Sequence, residues 1–111
     1  MLDLVSDKLP RARLVLTTVY DPSDRIGVIP GVLEDVGKLP LRHLDALNAH
    51  IRDAAAARDG AVLADVYAHF LGHGASVSQE DRWYWKRSLV EPSAMGASEI
   101  RRVWLDALEV E

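Results

Sequence analysis

Two short apolar runs, separated by a single amphipathic stretch, constrain this chain more than any other feature. Arg13 to Tyr20 holds Leu14-Val15-Leu16-Thr17-Thr18-Val19, branched and apolar without clean alternation. Such a run suits a parallel strand covered on both faces, where neither side meets water. Val62-Leu63-Ala64-Asp65-Val66 reads as a second strand. Between them, Leu41, Leu44, Leu47, Ile51, Ala54 and Ala55 recur three or four apart and form one apolar helical stripe. Arg42, Asp45, Asn48, Arg52 and Asp53 fall off that stripe. Pro40 suits a first helical position and Gly60 a left-handed stop. The pattern predicts parallel strands at about 13–20 and 61–66 and a helix at about 40–59. Together they form a βαβ unit whose crossover should be right-handed.

A second helix is predicted at about 93–109, opened by Ser93, whose hydroxyl can accept from a free amide of the first turn. Ala97, Ile100, Trp104 and Leu108 fall on its buried side. Glu99, Arg102 and Asp106 fall on a wet face, where they can pair one turn apart. Met1 to Leu9 reads as the closing turns of a helix ended by Pro10. The fold class is therefore α/β.

Two parallel strands do not make a stable sheet. Their unpaired edges would template other strands, and the helices would have too little sheet to cover. The pattern asks for further strands, from another chain or from a second copy. Residues 1–111 thus read as a single partial domain.

Bulk properties exclude several classes. A formal net charge of -4 over 111 residues argues against a nucleic-acid partner, since phosphate binding wants a basic face. With no cysteine there is neither a disulfide framework nor a thiolate zinc site. No run of about 18 apolar residues is present to span a membrane. Met1-Leu2-Asp3-Leu4-Val5-Ser6-Asp7 lacks the basic and apolar regions of a signal peptide, which points to the cytoplasm.

Residues Arg25 to Leu39 carry Gly27, Pro30, Gly31 and Gly37 and read as a long loop, with one helical turn near Val32 to Val36. A loop leaving the carboxyl end of a parallel strand is a candidate pocket wall, because ligands bind there in open α/β sheets. His69 and His73 stand four apart, a spacing that puts two imidazoles on one helix face. Gly72 and Gly74 argue against a regular helix there, and no carboxylate lies between the two, so no metal is expected. His73 reads either as a pocket residue on a glycine-flanked loop or as a surface histidine. His43 and His50 lie off the leucine stripe and read as solvated. Trp83, Tyr84 and Trp85 form an aromatic cluster that either floors a pocket or seals a loop onto the sheet.

The cluster opens the segment Trp83-Tyr84-Trp85-Lys86-Arg87-Ser88-Leu89-Val90-Glu91-Pro92-Ser93-Ala94-Met95-Gly96. With the strand Leu14 to Tyr20 and Asp21-Pro22 after it, this segment resembles the carboxy-terminal half of an SGNH (GDSL-type) esterase. Pro92 to Gly96 resembles the family's His-Pro-Asn-x-x-Gly block. On that likeness Glu91 stands at the histidine position and Ser88 at the aspartate position, and neither residue matches. The chain contains no Gly-Asp-Ser block, no Asp-x-x-His pair and no Gly-x-Ser-x-Gly elbow.

The resemblance implies a partial three-layer α/β/α, flavodoxin-like fold and hydrolysis of carboxylic esters through a serine acyl-enzyme. It implies no cofactor. It also implies that an ester is turned over only together with the half that carries the nucleophile. Glu91 could replace the histidine as base if Trp83, Trp85 and Pro92 gave it an apolar setting. Otherwise it is a carboxylate favoured near a helix start. The alternative to an esterase portion is a non-catalytic module, or the fragment of a pseudo-enzyme, docking through an open sheet edge to a partner or to itself.

Overall fold

The computed structural model describes residues 14–29 and 39–109. The elements run β1 (Leu14–Thr17), α1 (Leu41–Ala56), β2 (Ala61–Ala64), α2 (Val66–Phe70), β3 (Tyr84–Trp85), β4 (Ser88–Pro92) and α3 (Ala94–Glu109). The chain is mixed α/β with a small parallel sheet and helices. The expected helical turns at Met1 to Leu9 and near Val32 to Val36 lie outside the described residues.

β1 and β2 pair in parallel, with Leu14 beside Ala61 and Thr17 beside Ala64. The ladder stops earlier than the apolar runs suggested, and the reason is side-chain competition for the backbone. Beyond Thr17, the main chain of Val19 is bonded by the Asn48 amide of α1 instead of by a strand. The hydroxyl of Thr18 donates to Asp65 Oδ1 at 2.8 Å and accepts from the Tyr67 N–H at 2.9 Å. Asp65 in turn caps α2 by accepting from the Ala68 N–H, which ends β2 at Ala64.

α1 starts one residue later than predicted, with Pro40 as its cap residue, and ends at Ala56. Gly60 does adopt a left-handed φ of 81°. It serves the entry to β2, its carbonyl accepting from the Leu14 N–H, and not the helix end itself. Ser93 caps α3 as expected, its Oγ accepting from the Gly96 N–H at 3.1 Å.

The segment from Trp83 to Pro92 holds two short strands. Tyr84–Trp85 and Ser88–Pro92 form an antiparallel hairpin around Lys86-Arg87. That turn carries none of the Asn-Gly or Asp-Gly signatures by which short hairpins are read.

The buried face of α3 is also rotated from the expected one. Gly96 and Glu99 are buried, and Ile100 and Val103 are partly so. Ala97 is exposed, and Trp104 is 44% exposed, its Nε1 donating to Thr17 Oγ1 at 2.8 Å.

Both long helices pack on both strands of the parallel ribbon. Every residue of β1 is only half-buried, however, and so are Ala61 to Leu63 of β2. The densest core lies beyond the carboxyl end of the ribbon. There Val66, Phe70 and Tyr84 are enclosed by Tyr20, Trp83, Ile100 and Val103. Tyr20 stacks on Phe70 at 5.5 Å between ring centroids, and Trp83 meets Phe70 edge-on at 5.1 Å. Among the described residues, no helix is long and apolar enough to cross a membrane.

Candidate functional site at the carboxyl end of the parallel ribbon

The chain leaves β1 through Asp21-Pro22-Ser23-Asp24, and this turn is built by its own side chains. Asp21 Oδ1 accepts from the Ser23 N–H at 2.8 Å and from the Ser23 hydroxyl at 2.6 Å, while Oδ2 accepts from the Arg25 N–H. Ser23 Oγ accepts from the Gly27 N–H at 2.9 Å. Asp21 and Ser23 are fully buried. Such local bonding is why aspartate and serine favour turns.

Asp24 adopts a left-handed φ of 52°, and its carboxylate accepts from the N–H groups of Gly72 and Gly74. The Pro22 carbonyl accepts from the Ala75 N–H at 2.8 Å. The turn after β1 is thereby pinned to the turn after α2. A Cβ at Gly74 would stand 2.6 Å from both Pro22 O and Asp24 Oδ2, so glycine is required for this approach.

Between this turn and α1 lies an apolar cavity of about 310 Å³. Tyr20, Pro22, Leu39, Leu41, Leu44 and Leu47 form most of its wall, with Asp21 and His43 beside them. It sits outside the carboxyl end of a parallel strand, where open α/β sheets bind ligands. Leu39 ends the loop anticipated as a pocket wall. His43, expected to be solvated, is exposed and also lines this cavity.

Two phenols meet here, Tyr20 in the cavity wall and Tyr84 with its ring centroid 5.4 Å from that of Tyr20. The Tyr20 hydroxyl donates to the Val90 carbonyl of β4 at 3.1 Å. Burial raises its pKa, and the negative charge of Glu91 raises it further. Tyr84 is pushed well above the ordinary tyrosine range, chiefly by burial and then by Tyr20, Asp24 and Asp21. Its hydroxyl has no hydrogen-bond partner among the described residues.

Glu91 therefore lies near Tyr20, at the carboxyl end of the ribbon. It is exposed on β4 and not enclosed by Trp83, Trp85 and Pro92. Ser88 opens the same strand opposite Trp85. Among the described residues, no serine hydroxyl is bonded to an imidazole; Ser23 and Ser78 both donate to aspartates.

His73 is not placed in the cavity wall. Its ring stacks on Trp83 at 3.5 Å and 3°, and its Nδ1–H donates to the Asp81 carbonyl at 2.7 Å. Trp83 is half-buried between the core and the histidines, and Trp85 is 44% exposed on the hairpin. α2 ends at Phe70, so His69 and His73 do not share a helix face; both rings pack against Trp83.

His69 instead meets a partner that its sequence neighbourhood does not announce. Its Nε2 lies 2.8 Å from Glu99 Oε1, and Arg102 Nε lies 3.5 Å from the other oxygen. Glu99 belongs to a buried contact between α2 and α3, not to a wet face. A second charged cluster joins Arg52 to Asp65 at 3.2 Å. Burial is the largest influence on Asp65 and opposes its ionisation. The bonds from Thr18, Arg52 and the Ala68 N–H outweigh it and hold the carboxyl below its ordinary value.

Comparison with protein-family models, curated proteins and solved structures gave no match for this chain.

Proposed function

We propose that this chain furnishes the later strands and covering helices of an SGNH-type ester-hydrolase domain, the catalytic serine coming from a half that this chain does not carry. The observation that carries this reading is where Glu91 lies. The residue at the family's histidine position is delivered by β4 to the neighbourhood of Tyr20, at the carboxyl end of a parallel strand. The apolar cavity at the same end suits the acyl part of a carboxylic ester. In this arrangement a serine Oγ attacks the ester carbonyl and its proton passes to a general base, for which the exposed Glu91 is this chain's candidate. The departing alcohol recovers that proton, and water then releases the acid from the acyl-serine. Oxyanion donors would come with the serine-bearing half.

The test is an assay of the purified chain with a short-chain nitrophenyl ester, alone and mixed with a polypeptide carrying a Gly-Asp-Ser half. The expected result is no turnover alone and turnover in the mixture. Turnover by the chain alone that a serine-directed phosphonate abolishes would overturn the reading.

The half-exposed parallel ribbon favours a second reading, a non-catalytic module that docks through an open strand edge. Light scattering separates this case, since a stable folded monomer counts against it.

A further inference from the structure

α1 runs into β2 through Ala57-Arg58-Asp59-Gly60, and this connection holds the single Asp-Gly pair of the chain. Every other aspartate is followed by a residue whose side chain crowds the next nitrogen or, at Asp21, by a proline that has no N–H. Asp59 and Gly60 are both exposed. Gly60 stands at a φ of 81°, and a Cβ built on it would meet nothing within 4 Å, so its surroundings are open. Its N–H has no acceptor among the described residues. The connection is closed instead by the Ala61 N–H, which donates to the Arg58 carbonyl at 3.4 Å, and by the Leu14 N–H, which donates to the Gly60 carbonyl at 3.3 Å. The Asp59 carboxylate is likewise without a hydrogen bond or ion pair among the described residues, whereas Asp21 and Asp24 are held by backbone donors. Asn48, the one asparagine, is buried in α1 with both ends of its amide engaged.

We propose that Asp59 converts spontaneously to isoaspartate in the folded protein, and that the conversion loosens the start of the parallel ribbon. The reacting atoms need no pocket to bring them together: Asp59 Cγ and the Gly60 nitrogen are linked by the intervening main chain, and a bond between them closes a five-membered ring. The Gly60 nitrogen attacks the Cγ carboxyl and loses its proton, and one carboxyl oxygen leaves as water. The succinimide so formed takes up water again. Attack at the former side-chain carbonyl restores Asp59. Attack at the main-chain carbonyl breaks its bond to the Gly60 nitrogen and leaves the chain running through Cγ. No oxidant, metal or partner enters, and the mass returns to its starting value. The product carries one more methylene in the main chain between Arg58 and Gly60. The Ala61-to-Arg58 turn bond spans that insertion, and the Gly60 carbonyl and Ala61 next to it hold Leu14 at the first pair of the ladder. Glycine supplies the freedom that both the left-handed turn and the ring closure use. This site is independent of the ester-hydrolase reading.

The test keeps the intact chain folded at neutral pH and body temperature for weeks, beside a sample unfolded in urea. Isoaspartyl groups are labelled by a carboxyl methyltransferase specific for them, with S-adenosylmethionine as methyl donor. They are located by electron-transfer fragmentation of the tryptic peptide 59–82. In the folded sample the label should grow with time at residue 59, ahead of Asp65 and Asp81 in the same peptide. Asp59→Glu, which would need a six-membered ring, should lose that label. The isoaspartyl fraction, separated by chromatography, should unfold at a lower temperature than the fresh chain. A folded sample that stays unlabelled while the unfolded one is labelled would overturn the proposal. So would label centred on another aspartate, label retained in Asp59→Glu, or an isoaspartyl fraction as stable as the fresh chain.

Discussion

The side-chain amide of Asn48 takes both main-chain groups of Val19. Its Oδ1 accepts from the Val19 N–H at 2.7 Å and its Nδ2 donates to the Val19 carbonyl at 3.0 Å. A helix side chain thus does the work of a neighbouring strand where β1 turns into the loop that walls the cavity. Asn48 is 1% exposed, so its replacement leaves both a void and unpaired groups. Asn48→Ala should cost about 2–3 kcal/mol in denaturant unfolding. Asn48→Asp keeps the acceptor but turns a second oxygen toward the Val19 carbonyl, and should lower the midpoint at least as far. Wild-type midpoints for both variants would show that the amide is dispensable.

This contact also shows what the sequence could and could not reveal. The parallel pair, the connecting helix and the last helix are local patterns: apolar runs for the strands, threefold and fourfold spacing for the helices, a serine cap for α3. They were legible. Asn48 was not, because helical periodicity sorts it with Arg52 on the wet side, and only the position of Val19 gives the amide its use. Glu99 fails for the same reason, its histidine lying thirty positions away. The hairpin was hidden by a two-residue strand and a Lys-Arg turn. Of the candidate site, Leu39 belongs to the loop anticipated as a pocket wall.

Asp65 makes the stability of the βαβ unit depend on pH. Its folded-state pKa lies below the unfolded value of about 3.9. The stabilisation is therefore complete above that value and is lost as pH falls through the lower, folded-state pKa. With the side chain about 35% exposed, solvent screening keeps the effect to under about 1 kcal/mol. Unfolding free energies measured from pH 7 down to 2 should fall less steeply for Asp65→Asn than for the wild type. Parallel curves would assign the acid sensitivity to other carboxylates.

The His69–Glu99 contact ties α2 to α3 and is best weighed by a double-mutant cycle. Glu99 is buried, but the His69 side chain is 37% exposed, which limits the coupling to about 0.5–1 kcal/mol. The variants His69→Ala and Glu99→Gln, singly and together, should give that figure at neutral pH. A coupling of zero would mean that the two residues merely share a crowded corner.

Gly96 lets α3 approach the hairpin. A Cβ there would collide with the carbonyl oxygen of Trp83, and that same oxygen accepts from the Ser93 N–H. Both partners are backbone and cannot rotate away, so Gly96→Ala should cost about 1–3 kcal/mol although alanine is the better helix former. Thermal unfolding checks the sign: an unchanged or raised midpoint would show that the helix can shift freely on the hairpin.

Tyr84 behaves oppositely, because its hydroxyl is buried without a partner among the described residues while its ring fills the core. Losing a bonded hydroxyl usually destabilises; losing an unbonded one removes a desolvation cost and leaves the packing of Phe70 and Tyr20 intact. Tyr84→Phe should thus be no less stable than the wild type within about 0.5 kcal/mol. A loss of 1 kcal/mol or more, read by denaturant unfolding, would mean that the phenol has an acceptor at the carboxyl end of the ribbon and that the candidate site is more polar than its walls suggest.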